Sequence, residues 1–110
     1  MDVMIKAGVK RIFWIELPDM QAPTMQSDCL LINTLIQKEA ASRPKVIFLP
    51  SKKLLSQTPG VFTHYIYDAT NGMPIYVRDA EGVNLDRKGA DLLAREVISH
   101  ILETQNNTEP

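Results

Sequence analysis

This 110-residue sequence has little cysteine, no long apolar run and no excess of either charge, and each of these features excludes a class of protein. Its one cysteine, Cys29, excludes an internal disulfide framework and any site built from several cysteine ligands. No apolar run approaches the roughly twenty residues that a helix needs to cross a bilayer. The N-terminus has no signal-peptide pattern. We therefore predict a product without a membrane span that is soluble where it is made.

Positive and negative charges nearly cancel, with 12 Lys and Arg against 13 Asp and Glu and a formal net charge of -1. Because the basic residues are spread along the chain, no face is predicted to neutralise a nucleic-acid backbone. Glu16, Asp19 and Asp28 follow the first predicted strand, but no histidine accompanies them at metal-ligand spacing. We predict no nucleic-acid partner, no metal and no cofactor.

The rest of the composition is that of an ordinary globular domain, with 45% apolar and 23% charged residues. A chain of this length buries one small core rather than two. We predict a single domain over residues 1–103 and a disordered tail over residues 104–110.

Two apolar stretches, Arg11–Leu17 and Lys45–Leu49, have the pattern of strands that are covered on both faces. Between them a helix is predicted to begin at Ser27 or Asp28 and to end before Pro44. The order strand, helix, strand indicates a right-handed crossover with parallel strands, and hence an α/β fold. The predicted inner face of this helix comprises Leu31, Ile32, Leu35, Ile36 and Ala40.

A short helix is predicted within Asp2–Gly8, and a polar, basic loop over Ser51–Gly60. Two β-rich runs, Tyr65–Ala69 and Met73–Arg78, flank Asn71-Gly72. This dipeptide suits the positive φ angles of a type I′ turn, so a β-hairpin is predicted.

A last helix, capped by Asp86, is predicted to pack on the sheet through one apolar face. That face comprises Ala90, Leu93, Ala94, Val97, Ile98 and Ile101. Together these elements predict parallel strands with flanking helices plus a β-hairpin.

The loop before this last helix, residues 78–90, carries the most specific pattern in the chain. It resembles the last block of SGNH (GDSL-like) hydrolases, which reads acidic-Gly-apolar-His-apolar, then a polar cap, a Gly-Ala pair and the terminal helix. Phe13–Met20 is similar to the strand and loop Trp-Val-Gly-Leu-Pro-Pro-Met of a bacterial branch called domain of unknown function 459, and so is the Asn71-Gly72 hairpin leading into Arg78. The resemblance covers most of residues 10–102. It implies the C-terminal part of an SGNH domain, with a partial flavodoxin-like fold.

The catalytic roles that the resemblance implies are altered at two positions. In that family the aspartate of the last block orients the histidine, which deprotonates a distant serine. Glu81 stands at the aspartate position and Asn84 at the histidine position. A neutral amide accepts no proton near neutral pH, so ordinary triad hydrolysis is excluded. The Gly-Asp-Ser nucleophile block and the oxyanion donors belong to the N-terminal half of the family's domain, and none of these motifs occurs in this chain.

Three polar side chains near this block each have two interpretations. Asn84 either binds a sugar hydroxyl or satisfies local hydrogen bonds. Arg78 either holds an anionic or polyhydroxylated ligand or pairs with Asp79 or Glu81 at a strand end. His64 either belongs to the site, where it binds substrate or replaces the lost base, or is a half-exposed packing residue.

The remaining reactive side chains receive no catalytic role. Cys29 lies in the first turn of a predicted helix, where the macrodipole lowers a thiol pKa, but a lone cysteine among leucines is typical of a core. His100, late in the last helix, lies at the wrong end of that element for the site. Lys52 and Lys53 form a short basic stretch, which is typical of ordinary surface.

Three functions remain open. The first is a degenerate SGNH-like module, derived from an esterase acting on O-acyl groups of carbohydrate and non-catalytic in this chain. The second is an esterase half completed by another chain that supplies the serine. The third is a protein-interaction or assembly domain. A carbohydrate or an acyl ester is the expected ligand class.

The resemblance places the central strands of the fold in a half that is missing here, so Phe13, Trp14 and Val46 are expected to form an exposed apolar edge. We therefore predict a homo-oligomer or a complementing chain. The compartment stays open between the cytoplasm, for a whole product, and the cell envelope, for a fragment of an exported parent.

Overall fold

A computed structural model describes residues 1–107 as a mixed α/β structure with a parallel and an antiparallel pair of strands. The predicted α/β class, the parallel strands and the hairpin are thereby confirmed. No helix among the described residues is both long and apolar enough to cross a membrane. The elements in chain order are α1 (Asp2–Lys6), β1 (Ile12–Ile15), α2 (Pro23–Ala41), β2 (Val46–Leu49), α3 (Lys52–Leu55), β3 (Tyr65–Tyr67), β4 (Pro74–Tyr76) and α4 (Arg87–Asn107).

The parallel sheet pairs β1 with β2 in a register that sets Ile12 beside Val46. Ile12, Val46 and Ala40 of α2 form a core cluster, against which Met1 and Ile5 of the first helix also pack. Val46 is only 7% exposed, so the apolar edge expected at Phe13, Trp14 and Val46 is wrong for Val46. Phe13 and Trp14 are half-buried.

Helix α2 begins at Pro23, earlier than the predicted Ser27 or Asp28. Proline suits the first position of a helix because its fixed φ is helical and its missing N–H has no partner there. Residues 23–26, which precede the predicted start, therefore belong to the helix.

The predicted inner face of α2 is wrong for Leu31, Ile32 and Leu35, which are 61%, 41% and 54% exposed. The buried residues of this helix are instead Cys29, Asn33 and Ala40. Asn33 marks the inner side because its side-chain amide pairs with both backbone groups of Leu17: it accepts from the N–H at 2.8 Å and donates to the C=O at 2.9 Å. Apolar residues lie on both sides of α2, so periodicity alone selected the wrong side.

The predicted loop Ser51–Gly60 contains a helical turn, α3. Leu55, at its end, is 2% exposed. The Glu16 carboxylate accepts hydrogen bonds from the N–H groups of Ser51 and Lys52 at 3.0 and 3.1 Å. The buried Leu55 at one end and the Glu16 carboxylate at the other stabilise the turn, so a segment predicted as a polar loop is partly helical.

The hairpin sets Ile66 of β3 opposite Ile75 of β4. The predicted type I′ turn is wrong, because no described residue other than glycine has a positive φ, and Asn71 therefore does not adopt one. The connection is a longer loop in which Gly72 (φ +70°) donates its N–H to the Asp68 carbonyl at 2.8 Å. The Asp68 carboxylate accepts from the Thr70 N–H at 2.8 Å and holds the first half of the loop.

Helix α4 follows Asp86 and continues through Asn107, so the first four residues of the predicted tail are helical. The rest of that tail lies outside the described residues. The predicted inner face of α4 is wrong for four exposed residues: Ala90, Ala94, Ile98 and Ile101. Leu93 and Val97 of that face are half-buried, and so are Glu96 and His100. The side of α4 that faces the rest of the chain is set by Gly89, which is buried against the Val77 carbonyl. A Cβ on Gly89 would lie 2.2 Å from that oxygen.

Candidate functional site

The loops that follow β1 and β2 meet at the carboxyl edge of the parallel sheet, which is the edge where open α/β sheets bind ligands. Glu16 follows β1, and Ser51 follows β2. The Ser51 hydroxyl donates to the Glu16 carbonyl at 2.7 Å and is completely buried. The two loops are therefore fixed to each other before any further side chain is added.

Asp19, in the loop after β1, has a carboxylate that is 2% exposed and fully engaged. It accepts hydrogen bonds from the Gln26 side-chain amide at 2.8 Å and from the Gly60 N–H at 2.9 Å. The Lys52 ammonium lies 3.6 Å away and balances its charge. Because each oxygen has a protein donor, Asp19 joins the loop after β1 to α2, to α3 and to the loop at Gly60, rather than serving as a free ligand for a metal.

Arg78, at the end of the hairpin, is 4% exposed and donates almost entirely to backbone carbonyls. Its guanidinium donates to the carbonyl oxygens of Val83 at 2.9 Å and Gly82 at 3.3 Å, and to that of Asp19. Its Nε donates to the Asn84 carbonyl at 3.4 Å. Burial lowers the pKa of Arg78, although a guanidinium stays charged at neutral pH. No ion pair among the described residues joins Arg78 to Asp79 or Glu81, the two predicted partners. The guanidinium faces protein carbonyls rather than solvent.

The stretch Asp79–Asn84 forms a closed loop that we call the bracket loop. The Asp79 N–H donates to the Asn84 carbonyl at 3.0 Å. The Asp79 Oδ1 accepts from the N–H groups of Val83 and Asn84 at 3.0 and 3.2 Å. These backbone donors, that of Val83 above all, lower the pKa of Asp79.

Gly82 of the bracket loop has φ +71° and is buried against Gln21. A Cβ at Gly82 would lie 2.5 Å from the Cβ of Gln21 and 2.9 Å from the ring of Phe62. The glycine therefore permits both the left-handed turn and the close approach of the loop that follows β1.

The two positions matched to the family's catalytic pair, Glu81 and Asn84, are both exposed on the bracket loop. Asp79, rather than Glu81, is the carboxylate that hydrogen bonds Asn84. Sequence reasoning missed this role of Asp79. The available signal was an aspartate placed four and five residues before two loop N–H groups, followed by glycine at the turn.

His64 lies beside the bracket loop, with its Nδ1 3.1 Å from the Asp79 carbonyl oxygen. Its ring packs edge-on against Phe62 at 4.8 Å, and Phe62 also lies 5.2 Å from the Arg78 guanidinium. The structure thus brings His64, Arg78 and the bracket loop together. His100 lies on α4 and pairs with Glu96 at 3.0 Å, apart from this group.

No described serine or cysteine is paired with a histidine at hydrogen-bonding distance. The Ser56 hydroxyl is directed at the carbonyl oxygens of Thr58, at 3.0 Å, and Val61. Cys29 is buried, and that burial raises the pKa of its thiol. Its predicted place in the first turn of the helix is wrong, because α2 begins at Pro23. Within residues 1–107, no group of three or more His, Cys, Asp or Glu residues is arranged to hold a metal ion.

A cavity of about 540 Å³ lies at the opposite, amino edge of the sheet. It is lined by Lys10 and Arg11 before β1, by Lys45 before β2, and by Phe13 and Ile101. It therefore belongs to a different surface from the bracket loop, and no candidate residue from the resemblance lines it.

Comparisons with known proteins give a family without an activity. No curated protein matches the chain. Residues 1–100 match the family described as "Protein of unknown function (DUF459)". That match spans α1, both sheets, the bracket loop and the first two-thirds of α4. The chain therefore belongs to the DUF459 family of proteins of unknown function.

Proposed function

We propose that this chain is an SGNH hydrolase-like module with a partial flavodoxin-like fold, derived from an esterase of acylated carbohydrate and without hydrolytic activity of its own. The proposal rests on the resemblance of residues 13–20 and 78–90 to that hydrolase family. It also rests on Asn84, which stands where the family has its catalytic histidine.

One observation carries the proposal: the bracket loop is held rigidly from both sides, yet it presents no basic nitrogen to solvent. Asp79 holds its N–H groups, and Arg78 holds its carbonyls. Asn84 is exposed at its end. An amide there can donate and accept hydrogen bonds, but it cannot take the proton of a serine.

Exposed amide and carboxylate oxygens on a rigid loop suit a hydroxyl-rich ligand. Asn84 and Glu81 supply such groups on the exposed side of the loop, and Glu81 makes no ion pair among the described residues. We therefore propose that the module binds an O-acylated carbohydrate without cleaving it.

A second candidate is an esterase half that another chain completes. The described strands β1 and β2 pair only with each other, so each has one unpaired edge to which a further strand can add. The added chain would supply the serine and the oxyanion donors, and His64 or Glu81 would stand in for the missing base.

The first test is hydrolysis of p-nitrophenyl acetate by the purified chain. We expect no release of p-nitrophenol above the buffer rate. We also expect none from Asn84→His, because a base without a nucleophile restores no triad. Turnover by the unmodified chain that His64→Gln abolishes and His100→Gln preserves would contradict the proposal. Turnover that requires an added polypeptide with a Gly-Asp-Ser block would favour the second candidate.

Binding is tested by amide NMR shifts during titration with an O-acetylated oligosaccharide, with its deacetylated form as the comparison. We expect shifts in residues 79–84 that Asn84→Ala removes. Gln57→Ala, which truncates an exposed amide on another loop, is the matched control and should leave them in place. Shifts that persist in Asn84→Ala would remove Asn84 from the ligand site.

A further inference from the structure

Helix α2 has two apolar sides, and only one of them contains the buried residues of the helix. At about 100° of rotation per residue, Leu31 and Leu35 lie on the side opposite the buried Cys29, Asn33 and Ala40. The two leucines are 61% and 54% exposed. They therefore lie outside the buried side of α2 and form an outward surface, of which Leu35 also borders a groove lined by Met1 and Trp14.

Two unpaired charges border this outward surface. Asp28 lies one turn before Leu31, and Lys38 lies one turn after Leu35. Neither makes an ion pair within residues 1–107. The four positions are spaced three, four and three residues apart, which places them on one stripe of the kind that packs helix against helix.

The charges and the leucines are placed symmetrically about the level of Asn33 along the helix axis. Leu31 and Leu35 lie two residues to either side of that level, and Asp28 and Lys38 lie five residues to either side. A two-fold axis through the outward surface at that level sets Leu31 against Leu35 of a second copy, and Asp28 against Lys38 of that copy. The same operation repeats both contacts, as an isologous interface requires.

The rotation of these side chains about the helix agrees with this arrangement. Viewed down the axis, Leu31 and Leu35 diverge by about 40°, and Asp28 and Lys38 diverge by about 80° in the opposite sense, all centred on one direction. A two-fold axis that lies in the contact plane, perpendicular to this direction and to the helix axis, sets the two members of each pair at the same level, where they pack beside each other. Opposite charges thereby meet, and like charges stay apart.

We propose that this surface of α2, which we call the α2 stripe, is where two copies of the chain form an antiparallel homodimer. A second copy is the occupant because the α2 stripe is complementary to itself in both apolar and charged positions. The stripe lies on a helix and is distinct from the sheet edges at which a complementing strand would add. The proposal is independent of any activity of the bracket loop.

Sedimentation equilibrium of the full chain over a range of concentrations tests the dimer. We expect a monomer–dimer equilibrium. Leu31→Gln with Leu35→Gln should raise the dissociation constant by about hundredfold or more, because four buried leucines are lost per dimer. Leu102→Gln removes a leucine that is 55% exposed on α4 and should leave the constant unchanged.

A charge exchange tests the register. Asp28→Lys sets two like-charged pairs in contact and should raise the dissociation constant by about tenfold, whereas Asp28→Lys combined with Lys38→Asp should return it to near the wild-type value. Far-UV circular dichroism confirms that each variant is folded. A chain that stays monomeric, a dimer insensitive to the two leucine substitutions, or a charge exchange without recovery would each overturn the proposal.

Discussion

The buried guanidinium of Arg78 donates a hydrogen bond to the carbonyl oxygen of Asp19, a residue 59 positions earlier in the chain. This contact joins the end of the hairpin to the loop after β1. The carboxylate of the same Asp19 is held by Lys52, from the segment after β2. One arginine and one aspartate thus connect the parallel sheet, the hairpin and the bracket loop at a single edge.

Removing the Arg78 side chain should destabilise the whole edge. Arg78→Ala leaves buried carbonyls without donors, and we expect it to lower the free energy of unfolding by about 2–4 kcal/mol. Arg78→Lys should recover only part of this, because an ammonium cannot reach carbonyls on several sides as a planar guanidinium does. Urea unfolding followed by circular dichroism measures both variants.

Arg95→Ala is the control for Arg78, since Arg95 is exposed on α4. We expect it to change the free energy of unfolding by less than about 0.5 kcal/mol. Equal effects of the two arginine substitutions would refute the structural role of Arg78.

Gly89→Ala should destabilise the chain even though alanine is the better helix former. In an exposed helix interior this change gains about 1 kcal/mol. Here the new Cβ would lie 2.2 Å from the Val77 carbonyl oxygen, which is backbone and cannot rotate away. We expect a net loss of about 2–3 kcal/mol in the free energy of unfolding. Thermal and urea unfolding measure it.

Ser99→Ala, at an exposed position of the same helix, separates the close contact from helix propensity. We expect a gain of a few tenths of a kcal/mol or no change there. If Gly89→Ala also stabilised the chain, α4 would not approach Val77 as closely as described.

Elements that depend on local patterns were predictable from the sequence. The consecutive apolar residues of β1 and β2, with a helical period between them, indicated parallel strands. The Asn71-Gly72 pair indicated the hairpin, although not its turn type, because the glycine alone takes the positive φ.

Features that depend on distant contacts were not predictable in this way. The buried side of α2 is set by Asn33, whose amide pairs with the backbone of Leu17 sixteen residues earlier. Periodicity assigns the apolar side of a helix to the core, so a polar residue in the middle of a helix does not predict that its own side is buried. The partners of Arg78 are likewise backbone carbonyls, which carry no sequence signal.

The sequence predicted where the segment that carries the candidate site lies in the fold, but not the hydrogen bonds within that segment. Residues 78–86 form the loop between the hairpin and α4, and residues 87–90 are the first turn of that helix. The resemblance directed attention to Glu81 and Asn84, which remain proposed as ligand-binding positions. The residues that shape the loop are Asp79 and Arg78, because they satisfy the backbone groups that a tight turn leaves unpaired.

The stability of the bracket loop should depend on pH through Asp79. Its backbone donors hold the pKa of Asp79 below the ordinary value of 3.8, so the ionised form is favoured in the folded chain. A lowered pKa of an acid contributes stability above the ordinary pKa, and this contribution is lost as pH falls through the folded value. We therefore expect the difference in unfolding free energy between the wild type and Asp79→Asn to be largest near neutral pH and to shrink below about pH 4.

Two other acids have a lowered pKa: Asp2 beside Arg43 and Asp68 beside Thr70. Because the wild type and Asp79→Asn both contain them, their contributions cancel in the difference between the two chains. Asp91→Asn, at an exposed position on α4, is the matched control. Its difference in unfolding free energy from the wild type should not shrink as the pH falls. Urea unfolding at a series of pH values measures all three chains. A difference between the wild type and Asp79→Asn that stays constant down to low pH would mean that the Asp79 carboxylate does not hold the N–H groups of Val83 and Asn84. The rigid presentation of Asn84, on which the proposed ligand binding depends, would then lose its physical basis.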